Sequence, residues 1–387
     1  MNRLSNQNLS HAIIPQMLSA KVRLCSRALV AGLLCAVIAL SAYAADWDRG
    51  VALYNKGDYA AALAEFQDVI QLRPDAAGAW YYVGLCEFKL KRYKEVREPL
   101  SRAIALLEIQ DPASKDLEGA WYTIGFSHYL QGEYEKAIEP LKRYIERAGT
   151  GNREVDSSAR SALGRAYFFL EKYDEAQSYL GGNAPQKERT RETAADLYYA
   201  GVIYFKREND DRAIAALRES IKANGEDPAA LDLLAESLMR KARKGNSNPE
   251  WLEAAEVGEK LRAVRDDMRT ANLLGRAYLG AKQFEKAADP LGKLAKANPD
   301  DAQAWLYYGI ALSRSGQTRK AMEALEITIR IAPDSGPALA ELGYVYESDK
   351  QYQQAMRIYE MAYKASGSSD PSIKQSIDRV KALAQQP

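Results

Sequence analysis

Two side chains in the body of this chain have the chemistry of nucleophiles or metal ligands: Cys86 and His128. The sequence holds only 3 Cys and 2 His, and Cys25, Cys35 and His11 all fall within the first 44 residues. Nucleophilic catalysis needs a thiol and a base within hydrogen-bond reach, and a structural zinc site needs four nitrogen or sulfur ligands. One of each cannot build the second, and their positions argue against the first. Cys86 falls at a recurring small position inside a helical pattern, and His128 stands where an aromatic recurs. Both are therefore expected in the core with their polar atoms satisfied. The glycine-rich stretch AGTGNRE follows a helical segment rather than a strand and lacks the later glycine of a phosphate loop. The acidic pairs Asp266-Asp267 and Asp300-Asp301 open helical patterns, where carboxylates cap free N–H groups. No catalytic residue, cofactor or metal is expected, and the chain reads as a non-enzyme.

The bulk composition narrows the partners. Formal net charge is +1 and 27% of residues are charged, which excludes a nucleic-acid footprint. The basic run Arg240 to Lys244 lacks interleaved aromatics and reads as a solvated helix end, with cations placed favourably near its C-terminus. Aromatic content is skewed, with 24 Tyr against 7 Phe, so rings with one wet edge are plentiful.

The N-terminus has a separate purpose. Ala28 to Leu40 is an unbroken apolar run, preceded by Lys21, Arg23 and Arg27 and followed by Ala42 and Ala44 in an A-x-A arrangement. This pattern predicts a secretory signal peptide over residues 1–44, cut between Ala44 and Ala45. Export would place the mature protein in the periplasm. An uncleaved leader would instead anchor it to the inner membrane, and that leader is the one expected membrane contact. After cleavage Cys86 is the single thiol, so no internal disulfide can form and packing must supply stability.

The elements that position everything else repeat. A small residue recurs at Gly50, Gly84, Gly125, Gly164, Gly201, Ala235, Gly275, Gly309 and Gly343. A second small residue follows, as at Ala62, Ala137, Ala287 and Ala321, and then a bulky one, as at Phe66, Leu141, Leu291 and Leu325. Apolar residues at i, i+3, i+4 and i+7 make each unit two amphipathic helices. Gly57, Gly132 and Gly316 are placed to end the first helix of their units.

This pattern resembles the tetratricopeptide repeat, W-x2-L-G-x2-Y followed by A-x3-F and P. The stretches ANLLGRAYLGAKQFEKAADPL and AWLYYGIALSRSGQTRKAMEAL carry it most completely. The resemblance implies an all-α, right-handed superhelical α-solenoid of nine helix pairs over residues 45–366. The units lie near 45–76, 77–110, 118–150, 157–183, 194–227, 228–266, 268–301, 302–335 and 336–369. Residues 371–385, with Ile373, Ile377, Val380 and Leu383 on one face, predict a terminal capping helix. Longer polar connections are expected after repeats two, three and four. An insertion in repeat six, RKARKGNSNPEWLEAAE, marks an expected flex point. Pro99, Pro140 and Pro290 are expected on an outer face, bending the second helices there.

The family further implies that first helices line a concave groove holding extended peptides or helices. Carried onto this chain, its groove positions are aromatic in repeats one to five and polar in repeats six to nine. The candidates are Tyr81, Phe88, Tyr122, Phe126, Tyr129, Arg165, Phe168, Tyr198 and Phe205, with Trp47, Tyr54 and Phe169 alongside. In the recurring phrase GAWY, the resemblance assigns Trp80 and Trp121 to packing and Tyr81 and Tyr122 to the groove. The expected partner is a protein bound through an apolar extended peptide or amphipathic helix, in the assembly of a cell-envelope complex. Self-assembly into a homo-oligomer or a membrane-tethered scaffold is the alternative.

Overall fold

The computed structural model describes residues 47–148, 153–180 and 191–385. The expected leader and its cleavage site lie outside them, as do most of the connection after repeat four and part of that after repeat three. Among the described residues all regular structure is α-helical, and none of the helices is long and apolar enough to cross a membrane. The chain divides into two compact units, residues 1–172 and 173–387.

The first unit contains α1 (47–56), α2 (Tyr59–Leu72), α3 (Ala77–Lys89), α4 (Arg97–Gln110), α5 (Lys115–Leu130), α6 (Tyr134–Ala148) and α7 (Arg153–Phe169). The second contains α8 (Tyr173–Tyr179), α9 (Arg191–Lys206), α10 (Asp210–Asn224), α11 (Pro228–Gly245), α12 (Asn248–Val264) and α13 (Met268–Gly280). It continues through α14 (Phe284–Ala297), α15 (Ala302–Arg314), α16 (Thr318–Ile331), α17 (Gly336–Ser348), α18 (Tyr352–Ala365) and α19 (Pro371–Leu383). Within each unit every helix packs on its sequence neighbours. The first helix of a repeat also touches the first helix of the next, as α3 touches α5 and α11 touches α13. That pattern is an α-solenoid, in which no repeat buries both faces alone.

The recurring glycine works by absence. The space a Cβ would need at Gly50, Gly84, Gly125, Gly201, Gly275, Gly309 and Gly343 is taken in turn by Phe66, Leu100, Leu141, Leu217, Leu291, Leu325 and Tyr359. Each partner follows its glycine at one constant spacing in the sequence. A Cβ on Gly125 would stand 2.7 Å from Leu141 Cγ and 3.0 Å from the Leu141 backbone nitrogen. The bulky partners are 0 to 4% exposed, each contributing about 2 kcal/mol by burial. In repeat six the sizes are exchanged. Ala235 replaces the glycine, Gly258 replaces the bulky residue, and Leu274 of the next helix fills the space at Gly258.

Every first helix ends in the same backbone device. Gly57, Lys91, Gly132, Glu171, Glu208, Asn246, Lys282, Gly316 and Lys350 all have left-handed φ, between 47° and 84°. The following N–H then reaches back over the last turn, as Gln283 N–H donates to Tyr278 O (2.9 Å) and Lys282 N–H to Leu279 O (3.0 Å). This Schellman arrangement satisfies carbonyls that the helix end would otherwise strand. At helix starts Asp267 accepts from Thr270 N–H and Asp301 from Gln303 and Ala304 N–H, so these carboxylates cap.

Two expectations are corrected. Pro99, Pro140 and Pro290 are buried rather than on an outer face. They fall at i+3 from Val96, Ala137 and Ala287, on the stripe that packs inward. Pro99 escapes the interior penalty because α4 begins only at Arg97, whereas α6 and α14 carry their prolines inside. The connection after repeat two is short, since α4 runs to Gln110 and α5 starts at Lys115. The repeat-six insertion, expected as a flex point, is built into helices rather than into an open loop. It lengthens both α11 and α12, to 18 and 17 residues, leaving a tight link at Asn246-Ser247. The extra turns cover more apolar surface, and these helices anchor a large core that includes Leu234, Leu238, Met239 and Leu261.

Candidate functional site

Helix α5 carries the site of the first unit on one of its faces. Tyr122, Phe126 and Tyr129 follow at i, i+4 and i+7, so their rings form one stripe. Tyr122 stacks on Phe126 (5.4 Å between centroids, 19° between planes), and Phe126 lies 5.8 Å from Tyr129. The stripe extends across helices on both sides. Phe88 of α3 lies 6.3 Å from Phe126. Tyr129 lies 6.0 Å from Tyr134 at the start of α6, and Tyr134 stacks on Phe169 of α7 at 4.6 Å. Phe168 meets Phe169 edge-on at 5.6 Å. Stacked and edge-to-face pairs of this kind hold one another in place. The rings are half-buried, and Phe169 is 42% exposed.

Two stretches beside this row carry no charge. From Gly119 to Gly132 no Asp, Glu, Lys or Arg occurs, and none occurs from Ala76 to Cys86. Arg165 of α7 is the charged candidate, and it is half-buried. Tyr93, 5.6 Å from Phe88, and Tyr134 belong to the row although neither is among the groove candidates. Their place right after the left-handed turn was the signal available, because that turn brings the second helix's first residues beside the end of the first helix.

Other candidates of the first unit are spent on packing. The Tyr81 hydroxyl lies in the space that a Cβ on Gly119 would need, so the ring bridges α3 to α5. Burial, reinforced by the Asp116 carboxylate, pushes its phenol pKa up. Trp47 and Tyr54 join Phe66 and Tyr82 in a ring cluster between repeats one and two. Burial holds the Tyr54 phenol up at about 12. Trp80 and Trp121 pack against the core of α4 and α5, and the Trp80 indole N–H donates to the Pro74 carbonyl at 2.9 Å. The Trp305 indole repeats the bond to Pro299 O at 3.0 Å.

Cys86 is fully buried, and desolvation pushes its thiol up to about 12, which removes nucleophilic character. His128 is 9% exposed, with Nδ1 2.6 Å from Glu133 Oε2. Lys136, then His128, hold the Glu133 carboxyl below its usual range. Among the described residues no group of three His, Cys, Asp or Glu could hold a metal ion.

Tyr198 and Phe205 belong to the second unit. Tyr198 meets Tyr199 edge-on at 5.4 Å, and burial, then Asp227 and Asp232, raise its phenol pKa. Phe205 is covered by its own chain: the Arg240 guanidinium lies 3.8 Å above the ring and donates to Phe205 O at 2.8 Å. Arg240 Nε also donates to Asp210 Oδ1 at 2.5 Å. Lys244 reaches Asp210 at 3.2 Å, and Lys241 pairs with Asp211 (2.9 Å) and Glu250 (3.3 Å). Arg240, Lys241 and Lys244 of the basic run are therefore paired with acidic residues at the start of α10, while Arg243 and Lys244 stay exposed.

Several polar positions of repeats six to nine are likewise engaged. Asp232 takes Arg265 at 3.0 Å and Arg269 at 2.8 Å. Arg314 grips Glu341 with two bonds and lies 4.2 Å over Tyr344. Glu347 is gripped by Arg379 of α19 at 2.7 and 2.8 Å.

A profile of the tetratricopeptide repeat matches residues 39–114, 161–230, 272–335 and 309–371, and a second tetratricopeptide profile matches 120–149. An uncharacterized protein of Methanocaldococcus jannaschii, MJ0572, is 38% identical over 60 residues, covering 16% of this chain and 70% of that one. Among solved structures, MamA from Desulfovibrio magneticus is 21% identical and covers 46% of this chain and 97% of its own, with a TM-score of 0.40. YrrB is 16% identical, covering 49% and 92%, with a TM-score of 0.42. The profile matches span most of the described chain with the small-residue register seen in its helix crossings, and the protein belongs to the tetratricopeptide-repeat family, a scaffold for protein–protein interaction.

Proposed function

We propose that this scaffold captures an uncharged apolar or aromatic segment of a partner protein on the aromatic row of its first unit. The supporting observation is the row itself: Phe88, Tyr122, Phe126, Tyr129, Tyr134 and Phe169 form a continuous series of half-buried rings beside wall segments that carry no charge. Rings already fixed by stacking lose little entropy on binding, and Tyr is a favoured interface anchor. The charge-free stretches of α3 and α5 offer nothing to a terminal carboxylate, which favours an internal peptide segment or the apolar face of an amphipathic helix. The setting we propose is the periplasm, after removal of residues 1–44, in the assembly of a cell-envelope complex. In the second unit Arg240, Arg314 and Arg379 pair with carboxylates of their own unit, which favours a supporting task there.

The test is a photo-crosslinking amino acid placed at position 129, and separately at Ile109, which is 84% exposed on α4. A discrete adduct in intact cells from 129 but not from 109, lost when Phe126 and Phe169 are both changed to Ser, is expected. Identical adducts from 109 and 129, or none from 129, refute the reading.

A further inference from the structure

A second face of α5 opens into a cleft that the aromatic row does not use. It has a volume of about 340 Å³ and is lined by Arg97, Ser101 and Ile104 of α4, Trp121, Ile124 and His128 of α5, and Lys136 and Pro140 of α6. Trp121, Ile124 and His128 follow at i, i+3 and i+7, about 130° round the helix from Tyr122, Phe126 and Tyr129. All three helices belong to the first unit. The lining combines an apolar floor with cations at both sides, and the Glu133 carboxylate borders it behind His128 and Lys136.

We propose that this cleft binds a small organic anion, a carboxylate carried on an apolar body. Trp121, Ile104, Ile124 and Pro140 supply the surface for the apolar part. Arg97 stands at the first position of α4, where a cation opposes the helix dipole, and no ion pair holds it among the described residues. Lys136 faces it from the first turn of α6 and His128 from α5. Glu133 engages His128 through Nδ1 and Lys136 at 3.0 Å, which orients both groups. With Nδ1–H given to Glu133, the Nε2 atom of His128 donates to a carboxylate oxygen at the cleft when the ring is in its imidazolium form. Arg143, 4.8 Å over the Trp121 ring, is held there while paired with Glu139 at 2.9 Å. The cleft volume is at the small end of the range for ligand sites, which suits a single aryl or branched alkyl body rather than a peptide.

The probe is 4-phenylbutyrate, followed by calorimetry and by the imidazole NMR signals of His128, with His11→Gln removing the other histidine. Saturable binding of one equivalent that moves the His128 signals at the same dissociation constant is expected. Each charge-assisted contact is worth tenfold or more in affinity, so the Arg97→Ala and Lys136→Ala double variant should bind at least about tenfold more weakly. The neutral analogue 4-phenylbutanol should lose about as much. Both altered side chains lie at the surface, and an Arg102→Ala control should bind like the parent. Phe126→Ser should also keep this binding, which separates it from partner capture. Equal affinity for the alcohol, an unchanged double variant, or unmoved His128 signals would overturn the proposal.

Discussion

Exchanging Lys282 for glycine should stabilise the second unit, although the same exchange elsewhere in a helix destabilises it. Lys282 has φ of 57°, where the Cβ of an L-residue crowds the following carbonyl. Relief of that crowding is worth about 1–2 kcal/mol. Against it, glycine enlarges the unfolded ensemble by about 0.4–1 kcal/mol. The net expectation is a gain of about 0.5–1 kcal/mol. The matched control is Lys260→Gly, at an exposed position inside α12. There the backbone is already helical, and the change should cost about 0.8 kcal/mol. The two variants thus differ in sign for identical chemistry. Urea titration followed by circular dichroism reads the global difference. Because repeat arrays can unfold in parts, exchange of the Gln283 amide, which bonds Tyr278 O at 2.9 Å, gives a local reading. Its protection should rise in Lys282→Gly and stay unchanged in Lys260→Gly. If Lys282→Gly destabilises as much as Lys260→Gly, the cation at the helix end outweighs the backbone strain and the reasoning fails.

Three further outcomes follow from the packing. Gly125→Ala sets a Cβ 3.0 Å from the Leu141 backbone nitrogen, so overpacking of about 1–3 kcal/mol should exceed the gain in helix propensity; a raised melting temperature would contradict this. The Glu347 carboxyl is held below its usual range by Arg379 and, after the burial that opposes it, by Tyr359. Its folded pKa is thus lower than its unfolded one, so the pairing stabilises α19 at neutral pH. That contribution fades as pH falls through the ordinary glutamate range and below. Amide exchange in α19 should accelerate more at acid pH in the parent than in an Arg379→Met variant. The Cys86 thiol, fully buried and pushed up to about 12, should resist a disulfide reagent in the native protein when Cys25 and Cys35 are Ser. It should react at the rate of unfolding, and rapid native labelling would refute the burial.

Much of this molecule was legible from spacing. The recurring small residue and its bulky partner at a fixed distance give the helix crossing, because 3.6 residues per turn and a constant turn length bring the same two positions together. The turns were legible only where glycine marked them. Lys91, Glu171, Glu208, Lys282 and Lys350 hold the same left-handed geometry without the residue that signals it, since the surrounding helices enforce it.

The sequence by itself determined the helices, their register and the family; the tertiary structure decided which aromatic rings remain available. Helical periodicity says that Tyr81 and Tyr122 share a face of their repeats, but not what stands opposite. Gly119 leaves room for the Tyr81 hydroxyl, so that ring became a joint between helices, while Tyr122 remained in the row with Phe126. Arg240 looked like one of several solvated cations until folding brought it over Phe205, 35 residues away in the chain. Contacts of that separation depend on how far apart two helices sit, which is set by side-chain volumes at the crossing and not by the period of either helix.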